Sequence, residues 1–229
     1  MAKQNKKSAA AAAPEIIRPR LVLATTILPD GEAGERMLRA ALSGGDVSTV
    51  LFDPTGRDAD AFQAFAERLV PLAQDYGAAA IVVDDTRCAG RVQADGLHFA
   101  DGDVEALEEA IERYHPRLIV GASGFTTRHD ALEAGERLPD YMMFGRLGGD
   151  AADATDPADL AMAEWWAEIV EVPCILLGGA AMETLEEAAR TRAEFICLSR
   201  AIFSGPDGPA EAVARANRIF DTLAEGVAA

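Results

Sequence analysis

The sequence has little of what most metal and nucleophile sites are made from. Its 229 residues include three cysteines and three histidines. Cys88, Cys174 and Cys197 are odd in number and lack the short spacing of a metal knuckle, so neither a disulfide framework nor a thiolate metal site is expected. Cys174 and Cys197 sit in apolar runs (PCILL, FICLS), where a free cysteine behaves as a small hydrophobe. None of the three reads as a nucleophile. His98, His115 and His129 are scattered, without the paired spacing of a zinc helix. Positive charge is scarce as well: 21 Lys and Arg stand against 38 Asp and Glu, a formal net charge of −17. Nucleic acid is therefore excluded as a partner, because a phosphate backbone needs a basic face. Any anionic substrate must be held by local devices, such as main-chain N–H groups, helix N-termini, a few arginines or a bridging Mg2+. No apolar run approaches the length needed to span a bilayer, so no membrane protein is expected.

What is present is a repeating alternation. The start, MAKQNKKSAAAAAP, carries basic residues and an alanine run that Pro14 closes. It is too weak for a secretory h-region and reads as a disordered leader over residues 1–19, which leaves the protein in the cytoplasm. From residue 20 to 229 a single domain is expected. Short apolar runs recur at Arg20–Thr25, Val47–Phe52, Ala79–Val83, Gly96–Phe99, Leu118–Ala122, Tyr141–Phe144, Cys174–Leu177 and Phe195–Leu198. Continuous apolar runs fit parallel strands covered on both faces.

Amphipathic stretches separate them. Ala33–Ser43 precedes the second run, and Ala59–Tyr76 carries Phe62, Phe65, Ala66, Leu69 and Val70 as a helical stripe. Thr86–Arg91 has room for a stunted helix only. Val104–Tyr114, Asp130–Leu138, Leu160–Val170, Met182–Thr191 and Pro209–Glu225 complete the set. Asp103 and Asp130 are expected N-caps, and Gly77 and Gly135 expected helix ends. Eight strand–helix units in this length favour a closed (β/α)8 TIM barrel over an open doubly wound sheet.

In such a barrel, residues just after each strand line the active site. The strongest pair is Leu177-Gly178-Gly179-Ala180 after the seventh strand and Ser199-Arg200-Ala201-Ile202 after the eighth. Phosphate sites in barrels form from these two loops. Glycines let the backbone approach an anion, Ser199 adds a hydroxyl and Arg200 a charged fork. The same Gly178-Gly179 pair also serves a tight turn. Asp84, Asp85, Asp101 and Asp103 are a second group, suited to Mg2+ but equally to helix caps or solvated loops. Arg146 follows the sixth strand and is a second anion contact or a surface arginine. The long loop Gly145–Ala158 has the length of an active-site lid. His98, within the fourth run, reads as a core histidine, and Trp165-Trp166 as packing.

Several stretches together, ADGLHFADGD, LIVGASGFT, DYMMFGRL, ILLGGA and FICLSRAIFSG, resemble the thiamine-phosphate synthase family, which includes the TenI thiazole tautomerases. The likeness covers roughly residues 20–225 of the sequence. It implies a transferase that joins hydroxymethylpyrimidine pyrophosphate to a thiazole phosphate and releases pyrophosphate. On this resemblance Asp84 and Asp103 match the metal acids, and Ser123 the serine of a Gly-x-Ser block. Gly179, Ser199 and Arg200 match the thiazole-phosphate grip. Asp84, Ser123 and Arg146 are then the catalytic candidates and Mg2+ the expected ion.

The departures concern the pyrophosphate. After the second strand the family's Gln-x-Arg-x-Lys pattern is replaced by Val50-Leu51-Phe52-Asp53-Pro54. The Asn before the metal Asp is Val83, the Thr-x-Thr-Lys loop reads GRLGGDAADATDP, and the tautomerase histidine is Arg146. Three readings stay open. The chain is a synthase with Arg146 and Arg200 replacing the lost cations, or a paralogue that only binds a thiazole phosphate or thiamine phosphate. The third is an enzyme on another small phosphorylated substrate. The oligomeric state is open.

Overall fold

The computed structural model describes residues 17–54 and 56–227. Most of the expected leader, 1–16, lies outside them. Arg18 is described, and its guanidinium is bonded to Asp221 Oδ1 at 2.6 Å and Asn217 Oδ1 at 3.1 Å.

Eight parallel strands close into a barrel in sequence order. They are β1 (Arg20–Ala24), β2 (Thr49–Phe52), β3 (Ala79–Val83), β4 (Gly96–Phe99), β5 (Ile119–Ala122), β6 (Tyr141–Phe144), β7 (Cys174–Leu177) and β8 (Phe195–Leu198). β1 pairs with both β2 and β8, which closes the ring. The strands alternate with α1 (Gly31–Ser43), α2 (Ala59–Asp75), α3 (Thr86–Val92), α4 (Val104–Tyr114), α5 (Arg128–Gly135) and α6 (Pro157–Ile169). After β7 come a 3-10 turn (Met182–Thr184) and α7 (Leu185–Ala189), and after β8 come α8 (Arg200–Phe203) and α9 (Pro209–Val227).

Side chains alternate along each strand, so each strand feeds two apolar layers. Val22, Ala24, Leu51, Ile81, Val83, Tyr141, Met143, Ile175, Leu177 and Cys197 fill the barrel interior. Leu21, Leu23, Val50, Phe52 and Val82 face outward onto the helices, with Phe62, Leu69 and Phe220. Each fully buried large side chain contributes about 1.5–3 kcal/mol. Both faces are dry, which is why the strands read as continuous apolar runs. Among the described residues no helix is long and apolar enough to cross a membrane.

Helix starts ring the C-terminal mouth because every helix follows a strand. Asp58, Asp85, Asp103 and Asp156 cap α2, α3, α4 and α6 through their carboxylates. Each cap stabilises its helix by about 1 kcal/mol. One expectation is corrected. Thr127, not Asp130, caps α5; Asp130 lies in the first turn and donates its N–H to Thr127 Oγ1 at 3.2 Å. Gly135 is the last residue of α5, and a Cβ there would lie 2.6 Å from the Trp166 ring. Gly135 is thus the expected helix end, and its contact with Trp166 is what keeps it free of a side chain. Gly77 does follow a helix end, with φ +80°.

Candidate active site at the barrel mouth

The mouth has an acidic side and a donor side. On the acidic side Asp84 follows β3 with φ +52°, a left-handed conformation that Asp tolerates better than most residues. Its Oδ1 accepts the Ala100 N–H at 3.0 Å, tying the end of β3 to that of β4. Partial burial, with the nearby charges of Asp101 and Asp53, holds the Asp84 pKa above the ordinary carboxylate value. Asp103, at the start of α4, accepts the Ala106 N–H at 3.0 Å and is exposed. Asp84 and Asp103 thus each commit one oxygen to a main-chain N–H. Among the described residues no group of three or more His, Cys, Asp or Glu is arranged to hold a metal ion.

Ser123 lies deeper. It is 2% exposed, and its Oγ lies 2.9 Å from His98 Nε2. His98 Nδ1 lies 3.0 Å from the Tyr141 hydroxyl, and the two rings stack. Burial pushes the His98 pKa down to about 3, so the ring is neutral. The same burial pushes the Tyr141 hydroxyl upward. This polar chain runs through the apolar interior with both imidazole nitrogens occupied. Ser123 also takes the Gly102 N–H on its carbonyl at 3.0 Å, holding the loop between Asp101 and Asp103.

The donor side carries Gly178, Gly179, Ser199 and Arg200, brought together as the two loop positions require. Gly178 donates its N–H to Cys197 O at 2.9 Å, joining the ends of β7 and β8. Ser199 is buried, and its Oγ lies 2.6 Å from Thr26 Oγ1. Arg200 opens α8, a one-turn helix. A cavity of about 430 Å3 lies beside these loops, lined by Ala180, Ala181, Arg200, Ser204 and Arg215 among others.

The loop between β6 and α6 lies over this side. Ala180 donates to Ala152 O at 2.8 Å and Ala181 to Asp153 O at 3.0 Å. Arg200 N–H donates to Asp150 Oδ2 at 2.8 Å. Asp150 was missed in the sequence, because nothing in GGDAADATDP distinguishes it from its neighbouring acids.

Arg146 starts the same loop and is exposed; its guanidinium forms no ion pair among the described residues. It lines a second cavity of about 430 Å3 with Asp101, Phe125, Met143, Asp159 and Met162. Asp159, also missed, is half-buried, and its pKa is raised by burial and by Asp156. Arg57, in the loop after β2, has its guanidinium engaged by local partners. It bonds Asp30 Oδ1 at 2.6 Å and Leu28 O at 2.5 Å and stacks 3.7 Å over the Phe65 ring. Phe52 packs outward against Phe65, at 6.4 Å between ring centroids, and Leu147 packs on the interior cluster. Trp166 is fully buried and donates to Val172 O at 2.7 Å, a packing role.

Comparison with known proteins gives the family. A family model described as thiamine monophosphate synthase matches residues 21–202. A thiamine-phosphate synthase of Rhodospirillum centenum is 34% identical over 202 residues, covering 88% of this chain and 97% of the relative. One from Hyphomonas neptunium is 30% identical over 213 residues, covering 90% and 96%. A thiamine phosphate pyrophosphorylase structure from Pyrococcus furiosus shares the fold, with TM-score 0.72 and 24% identity over 90% of this chain and 97% of that one. The match spans every strand of the barrel, and the chain belongs to the thiamine monophosphate synthase family.

Proposed function

We propose that this chain carries out the synthase reaction, condensing hydroxymethylpyrimidine pyrophosphate with thiazole phosphate. The observation that carries this reading is the division of the mouth into an acidic side and a donor side, within a chain of this family. In the reaction the bond from the pyrimidine methylene carbon to pyrophosphate breaks, and the pyrophosphate leaves with the electron pair. The thiazole nitrogen supplies the pair for the new carbon–nitrogen bond.

Asp84 and Asp103 are the residues that would hold Mg2+. Hard carboxylate oxygens suit this ion, which binds through one or two carboxylates plus substrate phosphates. The repulsion among Asp84, Asp101 and Asp53 is what a cation at that end would relieve. Bound there, Mg2+ would neutralise charge gathering on the leaving pyrophosphate.

The other roles belong to the protein alone. Gly178, Gly179, Ser199 and Arg200 grip the thiazole phosphate, which fixes the thiazole nitrogen relative to its target. Arg146, without a carboxylate partner, supplies positive charge near the pyrophosphate in place of the family's lost cations. Phe125, Met143 and Met162 offer apolar walls to the pyrimidine ring. Ser123, with neutral His98, is a positioning residue that braces the loop carrying Asp101 and Asp103. The enzyme works on small phosphorylated molecules in the cytoplasm. Expression in a cell that lacks thiamine-phosphate synthase tests this reading. Growth without thiamine is the expected result; absence of growth with soluble protein present would contradict it.

A further inference from the structure

We propose that the β6–α6 loop is a built-in occupant of the phosphate grip, with the Asp150 carboxylate standing where a substrate phosphate must bind. The inference rests on the reading that the loops after β7 and β8 take a phosphate.

Three main-chain donors of the loops after β7 and β8 are already used, all by one short stretch of loop. Arg200 N–H donates to Asp150 Oδ2, Ala180 N–H to Ala152 O and Ala181 N–H to Asp153 O, at 2.8, 2.8 and 3.0 Å. Thr184 Oγ1 adds a bond to Asp153 O at 2.9 Å. A carboxylate is the side-chain group closest to a phosphate in charge and acceptor chemistry, and main-chain N–H groups bind either. The side chain of Asp150 is fully buried. The loop backbone also closes on the β7 loop: a Cβ on Gly179 would lie 2.2 Å from Asp153 O. Loop and phosphate are therefore alternatives.

The loop's hold is incomplete. Asp150 Oδ1 and Arg200 Nε are buried, and neither has a hydrogen-bond partner among the described residues. They face each other at 3.8 Å, close enough to attract and too far to bond. Buried groups left unmade weaken a packed contact. A phosphate offers three outer oxygens and would satisfy both the Arg200 N–H and its guanidinium. Gly145 and Gly148 at the start of the loop hold φ values of +102° and +77°, a region that glycine adopts without steric cost. The loop tip, 151–154, is exposed. Substrate phosphate would then displace the loop, and its apparent affinity would be divided by the fraction of molecules with the loop out. Asp150 sets that fraction.

The test is amide hydrogen exchange across residues 146–156 of the full chain, with and without thiazole phosphate or inorganic phosphate, at constant ionic strength. Calorimetric titration of the wild type and Asp150→Asn goes with it. Asn keeps the shape but turns an N–H toward Arg200 Nε, so it loosens the loop without removing a donor from the grip. The expected result is that ligand raises exchange in the loop of the wild type, and that Asp150→Asn binds the same ligand about tenfold tighter. Equal affinities, with loop exchange unmoved by bound ligand, would overturn the occupant role and leave the phosphate grip standing. No binding to either protein, with the loop already exchanging freely in Asp150→Asn, would remove the grip itself and the inference with it. The wild-type exchange measurement decides the matter even if the variant fails to fold.

Discussion

His98 Nε2 and Ser123 Oγ lie 2.9 Å apart in the interior of the barrel, and the imidazole between them and Tyr141 stays neutral. The consequence is a dependence of stability on pH. The His98 pKa falls from an ordinary 6.5 to about 3 on folding. In the unfolded chain the ring takes a proton below pH 6.5, and in the folded chain it does not. Its contribution is therefore fully present above pH 6.5 and is lost as pH falls toward about 3. Urea unfolding between these limits should show stability dropping by up to about 1.4 kcal/mol per pH unit from this group. A His98→Gln chain should be less stable at pH 7 and show a flatter slope. An unchanged slope would place the titration elsewhere.

Asp84 illustrates a conflict between stability and function. Its carboxylate is partly buried and faces Asp101 and Asp53, so its raised pKa marks a charged form that the fold disfavours. Asp84→Asn keeps the acceptor for the Ala100 N–H and tolerates the left-handed backbone at φ +52°. The variant should unfold at a higher urea concentration than the wild type at pH 7 and lose its response to Mg2+. The sign follows from linkage: a raised carboxyl pKa costs stability above that pKa, and the cost fades as pH falls below it.

Arg57 should matter for folding and not for the pyrophosphate. Its side chain is 7% exposed, stacked on Phe65 and bonded to Asp30 and to Leu28 O. Arg57→Ala removes the stacking and leaves the Leu28 carbonyl short of a donor, a loss of about 1–3 kcal/mol. Thermal unfolding measures it. The KM for hydroxymethylpyrimidine pyrophosphate should stay at the wild-type value; a large rise would identify Arg57 as one of the missing cations.

Gly135→Ala sets helix propensity against packing. In a helix the change from Gly to Ala stabilises by about 0.8–1 kcal/mol. Here the added methyl would lie 2.6 Å from Cη2 of Trp166, which is fully buried and cannot yield. Overpacking of about 1–3 kcal/mol should win. The expected outcome is a lower unfolding midpoint, with Trp166 fluorescence shifted.

The strands were legible because each is buried on two faces, and a run such as Ala79–Val83 then needs no alternation to be recognised. The stunted α3 was legible from the short distance between β3 and β4. Finer features depended on neighbours far along the chain. Thr127 and Asp130 are both capping residues, three apart, and the sequence does not say which one the helix uses. Gly135 answers to Trp166, on another helix. In the site, the positions after each strand follow from topology, so Asp84, Gly179 and Arg200 stood out. Asp150 did not, because its role arises from a contact with Arg200 across 50 residues.

The central claim is synthase activity despite the lost pyrophosphate cations. The most direct measurement is thiamine phosphate formed by the purified chain from hydroxymethylpyrimidine pyrophosphate and thiazole phosphate, with Mg2+ or with chelator. Arg146→Ala is run alongside. Synthase activity requires Mg2+-dependent product, and Arg146→Ala should lower kcat/KM by about 10²-fold, the effect of removing one charge stabiliser. No product from folded protein that still binds thiazole phosphate would contradict it.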